Sequence, residues 1–184
     1  QTEGWPAGLG LVTLVLRRGP VRAGQPMLRG RDRPVADYLV EEVLDELDDD
    51  TRRFLLRSSV LDRMSARLLD DLLEVEGSAA MLGDIDRMDN PFLVPLDDRG
   101  EWFRYHHLFG DALRSAFEHR HPGEVAPLRS RASHLLEAAG DSDGAVRLAI
   151  AAGEQDRAAD IVLRHTLQLI DEGRLIAKGG HRLA

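Results

Sequence analysis

The sequence predicts a mainly α-helical chain, with a winged-helix domain of three helices and one β-hairpin followed by the start of a TPR-like helical-repeat array. Three observations carry that expectation. Several segments repeat apolar residues on one helical face. One stretch, 92–105, changes to period two around an Asp/Gly turn. Beyond residue 122, short Ala-rich helices alternate with single glycines.

The hairpin is the anchor. Alternating apolar residues Phe92, Val94 and Leu96 lead into the turn Asp97-Asp98-Arg99-Gly100, and Trp102-Phe103-Arg104-Tyr105 returns. Ahead of it, Leu39, Val40, Val43, Leu44 and Leu47 share one face of a helix begun at Pro34. The run Asp48-Asp49-Asp50 closes that helix and caps the next, 51–58, whose buried face is Phe54 and Leu55, with Val60-Leu61 just beyond. A helix from Ser65 turns Leu68, Leu69, Leu72 and Leu73 inward. Gly77-Ser78 then caps a third helix, 79–89, carrying Met81, Leu82, Ile85 and Met88, and Asn90-Pro91 stops it before the hairpin. After the hairpin, the helix 107–119 carries Phe109, Leu113, Ala116 and Phe117 inward.

Outside this module, residues 2–18 read as a helix apolar nearly all round, with Thr2 as N-cap and Pro6 in the first turn. It is expected to be the last helix of a domain lying upstream. A linker with three Gly and two Pro spans 19–30. His121-Pro122-Gly123 marks the next boundary, and helices are expected over 125–139, 143–152 and 155–172, with Gly140 and Gly153 at C-caps. About one and a half repeats are present, so the array is expected to continue, because such repeats bury their faces only against stacked neighbours. Residues 173–184 show no periodicity and are expected to be a disordered tail.

Composition narrows the function. The formal net charge is −8, with 24 basic residues scattered among 32 acidic ones, so no basic stripe advertises nucleic acid. The third helix, where a winged helix would read DNA, carries Asp84, Asp86 and Asp89 against one Arg87. There is no cysteine, no signal peptide and no apolar run long enough to span a bilayer, so the cytoplasm is the default location. The seven histidines include the adjacent pair His106 and His107, expected to point in different directions, and none falls in a metal-binding pattern. No nucleophile elbow or phosphate loop occurs, and the chain is not expected to be an enzyme by itself. His106 stands apart. It lies at the start of a helix, where free N–H groups and the helix dipole favour an anion, and its spacing alone also fits a local capping or packing role.

Five stretches resemble a known family. Trp102-Phe103-Arg104-Tyr105-His106-His107-Leu108-Phe109 is similar to the winged-helix signature of the large ATP-dependent LuxR-type activators of the maltose-regulon type, within the STAND class of P-loop NTPases. The run Phe54 to Ser65 resembles the start of their winged helix, the run Asn90 to Asp97 their hairpin, and Thr2 to Leu9 the helical lid of their ATPase module. Ala151-Ala152-Gly153-Glu154 to Ala159 looks like their first helical repeats, so the resemblance covers residues 1–174. It implies a lid helix and linker over 1–30, a winged-helix domain over 31–121, and the beginning of a repeat sensor over 122–172. It also implies ATP or ADP as cofactor of the whole protein, with Pro6 against the adenine and His106 reaching the β-phosphate of ADP. The implied partners are an upstream nucleotide-binding domain, an inducer bound by the repeats, and DNA through a separate C-terminal helix-turn-helix. A regulatory role in transcription is therefore expected, the parent being a slow signalling ATPase. The alternative is a protein–protein adaptor without nucleotide.

Overall fold

The computed structural model describes residues 40, 44–45, 47–87 and 92–171. The expected helix 2–18 with Pro6, the linker 19–30, most of the helix begun at Pro34, Met88 to Pro91 and the tail 173–184 lie outside the described residues. The chain divides into two compact units, one up to Val125 and one from Ala126 onward.

In the first unit, α1 (Asp49–Ser58) begins where the acidic triplet predicts. The Asp48 side chain accepts the Thr51 N–H at 2.8 Å and the Thr51 hydroxyl at 2.8 Å, satisfying an orphan donor of the first turn. Arg52 reaches backward from the same turn. Its Nε donates to the Leu44 carbonyl at 2.6 Å and an Nη to that of Leu47 at 2.6 Å, so one planar guanidinium closes the preceding segment. Val40 and Leu44, helical where described, are fully buried.

After α1 the backbone extends through β1 (Met64–Ser65), an element the sequence pattern does not reveal. Two residues are too short for a periodicity to register. Ser65 then serves as N-cap of α2 (Ala66–Leu73), its hydroxyl accepting the Leu68 N–H at 3.3 Å. The expected cap at Gly77-Ser78 differs. Ser78 is the first residue of α3 (Ser78–Arg87), and its hydroxyl is buried with no hydrogen-bond partner among the described residues. The orienting bond runs instead from the Ser78 N–H to the Asp70 carboxylate at 2.9 Å, from α2.

The sheet has three strands in the order β1-β3-β2, all antiparallel, with β2 (Leu93–Pro95) and β3 (Trp102–Tyr105) forming the wing. Leu93 pairs with Tyr105 and Pro95 with Phe103, while Met64 pairs with Phe103 on the other side. Pro95 sits on an edge strand, where its missing N–H costs no ladder bond. The phase of β2 differs from the alternation of Phe92, Val94 and Leu96. Phe92 and Leu93 are both buried and Leu96 is 46% exposed. Cross-strand partners share a face, so the register puts Leu93 beside inward Tyr105 and turns Val94 outward beside Arg104. Phe92 is buried for another reason. It precedes the strand, and its ring stacks on Phe109 at 4.3 Å. At the wing tip, the Asp97 carboxylate accepts the N–H groups of Arg99, Glu101 and Trp102 at 2.9–3.1 Å, an Asx-type nest that holds the turn.

The core lies between α1, α2, α3, the sheet and α4 (His107–Arg120). Leu56, Leu61, Met64, Leu69, Leu72, Leu82, Leu113 and Phe117 are almost fully buried there. Only His121 separates α4 from α5 (Pro122–Ala138). Of the expected His121-Pro122-Gly123 break, only His121 lies outside a helix, because Pro122 is preorganised for a helix's first turn.

In the second unit, α5 continues into α6 (Ser142–Ala151) and α7 (Gln155–Asp171), separated by turns with Gly140 at φ +82° and Gly153 at φ +86°. These are the left-handed C-cap positions that the sequence predicts. α6 meets α5 through small residues. A Cβ on Gly144 would stand 2.8 Å from Leu136 Cδ1, and the buried Ser133 hydroxyl donates to the Ala145 carbonyl at 2.7 Å. Glu137 binds Arg164 and Arg157 of α7 at 2.7 and 2.8 Å. The Arg164 hydrogen bond is the largest of the influences that hold its carboxyl below the usual value of 4.5. A depressed folded-state pKa contributes stability above the unfolded pKa and loses it as pH falls through the lower folded value. We expect the Glu137 carboxyl, followed by 13C NMR, to titrate below 4.5 and to move back toward it in Arg164→Gln. The stability difference between wild type and Glu137→Gln should vanish at pH values below that titration.

Candidate functional site

The strand-to-helix junction at residues 105–107 is where the candidate residue of the sequence stands. β3 alternates, so Phe103 and Tyr105 point into the core and Trp102 and Arg104 are half-buried. His106 leaves the sheet as the N-cap residue of α4, with φ −55° and ψ 136°. Its N–H donates to the Phe92 carbonyl at 2.8 Å, and its carbonyl accepts the first helical N–H, that of Gly110, at 2.8 Å. Both backbone groups are committed, which fixes the residue at the junction. The imidazole makes no side-chain capping hydrogen bond to α4. It is half-buried beside the first turn of a 14-residue helix, where N–H groups point outward and the dipole is positive.

His107 is exposed, and the two adjacent histidines do not diverge as their spacing suggests. Their rings lie 4.4 Å apart at 34°, because the extended ψ of His106 turns the chain into the helix between them. Pro6, the other candidate, lies outside the described residues.

Three residues that the sequence reasoning did not single out hold this junction. The buried Tyr105 hydroxyl lies 2.7 Å from the Ser58 hydroxyl, at the end of α1. Burial drives the Tyr105 pKa well above its usual value, so the phenol is neutral at physiological pH. Arg114 of α4 donates through Nε to the Ser59 carbonyl at 2.9 Å, and its other nitrogens reach Asp111 at 2.7 Å and Asp62 at 3.4 Å. A signal existed for Ser58 and Ser59: two hydroxyls end an amphipathic helix immediately before the apolar pair Val60-Leu61. Nothing in linear spacing joins them to residues 105 and 114.

The helix that would read a major groove does not favour DNA. Asp84 and Asp86 are exposed on α3 and would face phosphate. In the second unit, an open groove of about 560 Å³ lies along α5 and the turn into α7, lined by Ala126, Pro127, Ser130, Arg131, His134, Ala152 and Glu154.

Three helices, a three-stranded sheet with a β2–β3 wing, and a junction that presents a histidine at the following helix define a winged-helix domain, followed in the chain by further helices joined by short turns. Residues 40–125 match the family described as the MalT winged helix domain. That stretch is a MalT-like winged-helix region. It is 35% identical over 178 residues to the HTH-type transcriptional regulator MalT of Cronobacter sakazakii. The proteins of the same name from two Klebsiella pneumoniae strains are likewise 35% identical over 178 residues. Each comparison covers 95% of this chain and 20% of the relative, so the chain spans about a fifth of the length of the curated relatives it matches.

Arg114 should matter more than its exposed ion pairs suggest, because one of its bonds goes to a backbone carbonyl that has few alternatives. Arg114→Ala is expected to cost about 1–2 kcal/mol in urea unfolding, whereas Asp62→Asn should cost less than about 0.5 kcal/mol.

Proposed function

We propose that this segment is the regulatory middle of an ATP-dependent LuxR-type transcriptional regulator of the STAND class. In this reading its winged helix holds a nucleotide-binding module in the ADP state through His106. The observation that carries the reading is the placement of His106. Its backbone is fixed on both sides, and it stands at the N-terminal turn of a 14-residue helix. An imidazole there, next to outward-pointing amides, suits a phosphate oxygen. The partner is an upstream nucleotide-binding domain, whose P-loop would supply most of the phosphate contacts, with ATP or ADP as the cofactor and Pro6 of the lid against the adenine. Such a protein works in the cytoplasm and hydrolyses ATP slowly, if at all, as part of its signalling.

The helices from α5 onward are proposed to begin a TPR-like sensor that relays an inducer. Two features support this. α7 is apolar on two sides: Ala158 and Ile161 are buried against the unit, while Leu163, Leu167 and Ile170 remain exposed on the opposite side, with exposed Val162 on the flank. A helix of that kind suits the interior of a stacked array. The groove along α5 offers a concave surface to a small molecule or protein. Inducer binding would shift the population from a closed ADP state toward an active one. DNA would be engaged by a separate helix-turn-helix, since α3 is acidic. The second reading, a protein–protein adaptor indifferent to nucleotide, is favoured by the same exposed α7 face.

Calorimetry decides between them. A polypeptide joining this segment to its nucleotide-binding domain should bind ADP about tenfold or more weakly as His106→Ala, the equivalent of losing a hydrogen bond to a charged group. Unchanged affinity would leave the adaptor reading in front.

A further inference from the structure

We propose that Tyr105 is a positioning residue for His106, its hydroxyl tying the strand-to-helix junction to the end of α1. The functional consequence rests on the nucleotide reading of His106; the positioning itself stands on the geometry below.

Three observations converge on Tyr105. First, its hydroxyl has a defined partner. Ser58 Oγ lies 2.6 Å from the Phe54 carbonyl and 3.2 Å from that of Leu55, and both oxygens can only accept. The single Ser58 proton is therefore committed to the helix backbone, and the 2.7 Å contact is a bond donated by Tyr105 to Ser58. Second, the ring is held on its flank, edge-on to Phe109 at 5.7 Å, and Phe109 is itself stacked on Phe92. Third, the base of the side chain is confined. A Cβ placed on Gly110 would approach Tyr105 Cβ to 3.3 Å, so α4 crosses the end of β3 with little room between them.

The peptide that follows Tyr105 is that of His106. The ring of Tyr105 is fixed at its far end by Ser58 and at its base by Gly110, and Leu93 pairs with its backbone. The direction in which His106 leaves the strand is consequently set by an anchor in α1, 47 residues away in sequence. That makes Ser58 and Tyr105 a route by which a shift of α1 would move the imidazole.

The test compares Tyr105→Phe, Ser58→Ala and the double variant with Ile85→Val, a core truncation on α3. Tyr105→Phe keeps the ring and leaves the Ser58 donor bond intact, so it should fold even where Ser58→Ala, which strands a buried phenol, does not. Histidine-selective 13C NMR on this chain should show the His106 ring resonances displaced or broadened in Tyr105→Phe. His134 and His165 of the second unit should stay in place, and Ile85→Val should leave His106 unmoved. The double variant should move His106 no further than Tyr105→Phe. In the polypeptide carrying the nucleotide-binding domain, Tyr105→Phe should weaken ADP binding about threefold or more. His106 resonances unchanged in Tyr105→Phe, or displaced equally by Ile85→Val, would overturn the positioning role. If His106→Ala weakens ADP binding and Tyr105→Phe does not, the positioning role fails while the nucleotide reading stands. If His106→Ala has no effect on ADP, the nucleotide reading fails, and the ring resonances alone decide the role of Tyr105.

Discussion

The hydrogen bond from Tyr105 to Ser58 is the constraint around which the winged helix is assembled. It joins the end of the first helix to the end of the central strand in a space that water does not reach, where an unmet phenol would be costly. The surrounding groups all answer to it. Phe92 and Phe109 fill the side of the ring, Gly110 makes room for its base, and Arg114 binds the Ser59 carbonyl one residue beyond Ser58. A buried polar pair fixes direction as well as distance, and this one is fully satisfied, since Ser58 passes its own proton to the α1 backbone. The outcome is a junction with a defined geometry at which a half-buried histidine is displayed.

The first unit closes its helices with side chains rather than with long connections. Asp48 caps α1, Ser65 caps α2, the Asp70 carboxylate receives the first N–H of α3, and Arg52 terminates the segment before α1. Each bond satisfies a backbone group that the helix cannot satisfy alone, so the short turns between helices are explained by chemistry rather than by length. The second unit is fastened differently. Small residues let α5 and α6 approach, and Glu137 bridges two arginines of α7 near the surface. Such surface pairs contribute modestly, so its packing depends on Ala132, Ala145, Ala149, Ala158 and Ile161. On α7, Leu163, Leu167 and Ile170 remain exposed.

What the sequence by itself determined is what local chemistry determines. The helical faces of Phe54 and Leu55, of Leu68 to Leu73, and of Phe109, Leu113 and Phe117 are all buried as their periodicity requires. The acidic triplet, the wing turn and the left-handed glycines at 140 and 153 fall where residue type demands, because caps and turns are satisfied within a few residues. The position of His106 at the start of a helix was legible for the same reason. Tertiary structure decided the rest. It set the phase of β2, since pairing with Tyr105, and not the strand's own alternation, chose Leu93 as the inward residue. It created β1, a strand of two residues that exists only because β3 offers an edge. It brought His106 and His107 side by side, and it supplied Ser58 and Arg114 to the junction from elements distant in the chain. Contacts between such elements leave no period in the sequence. Their partners are chosen by the packing of one helix against one strand, and only the folded chain contains that information.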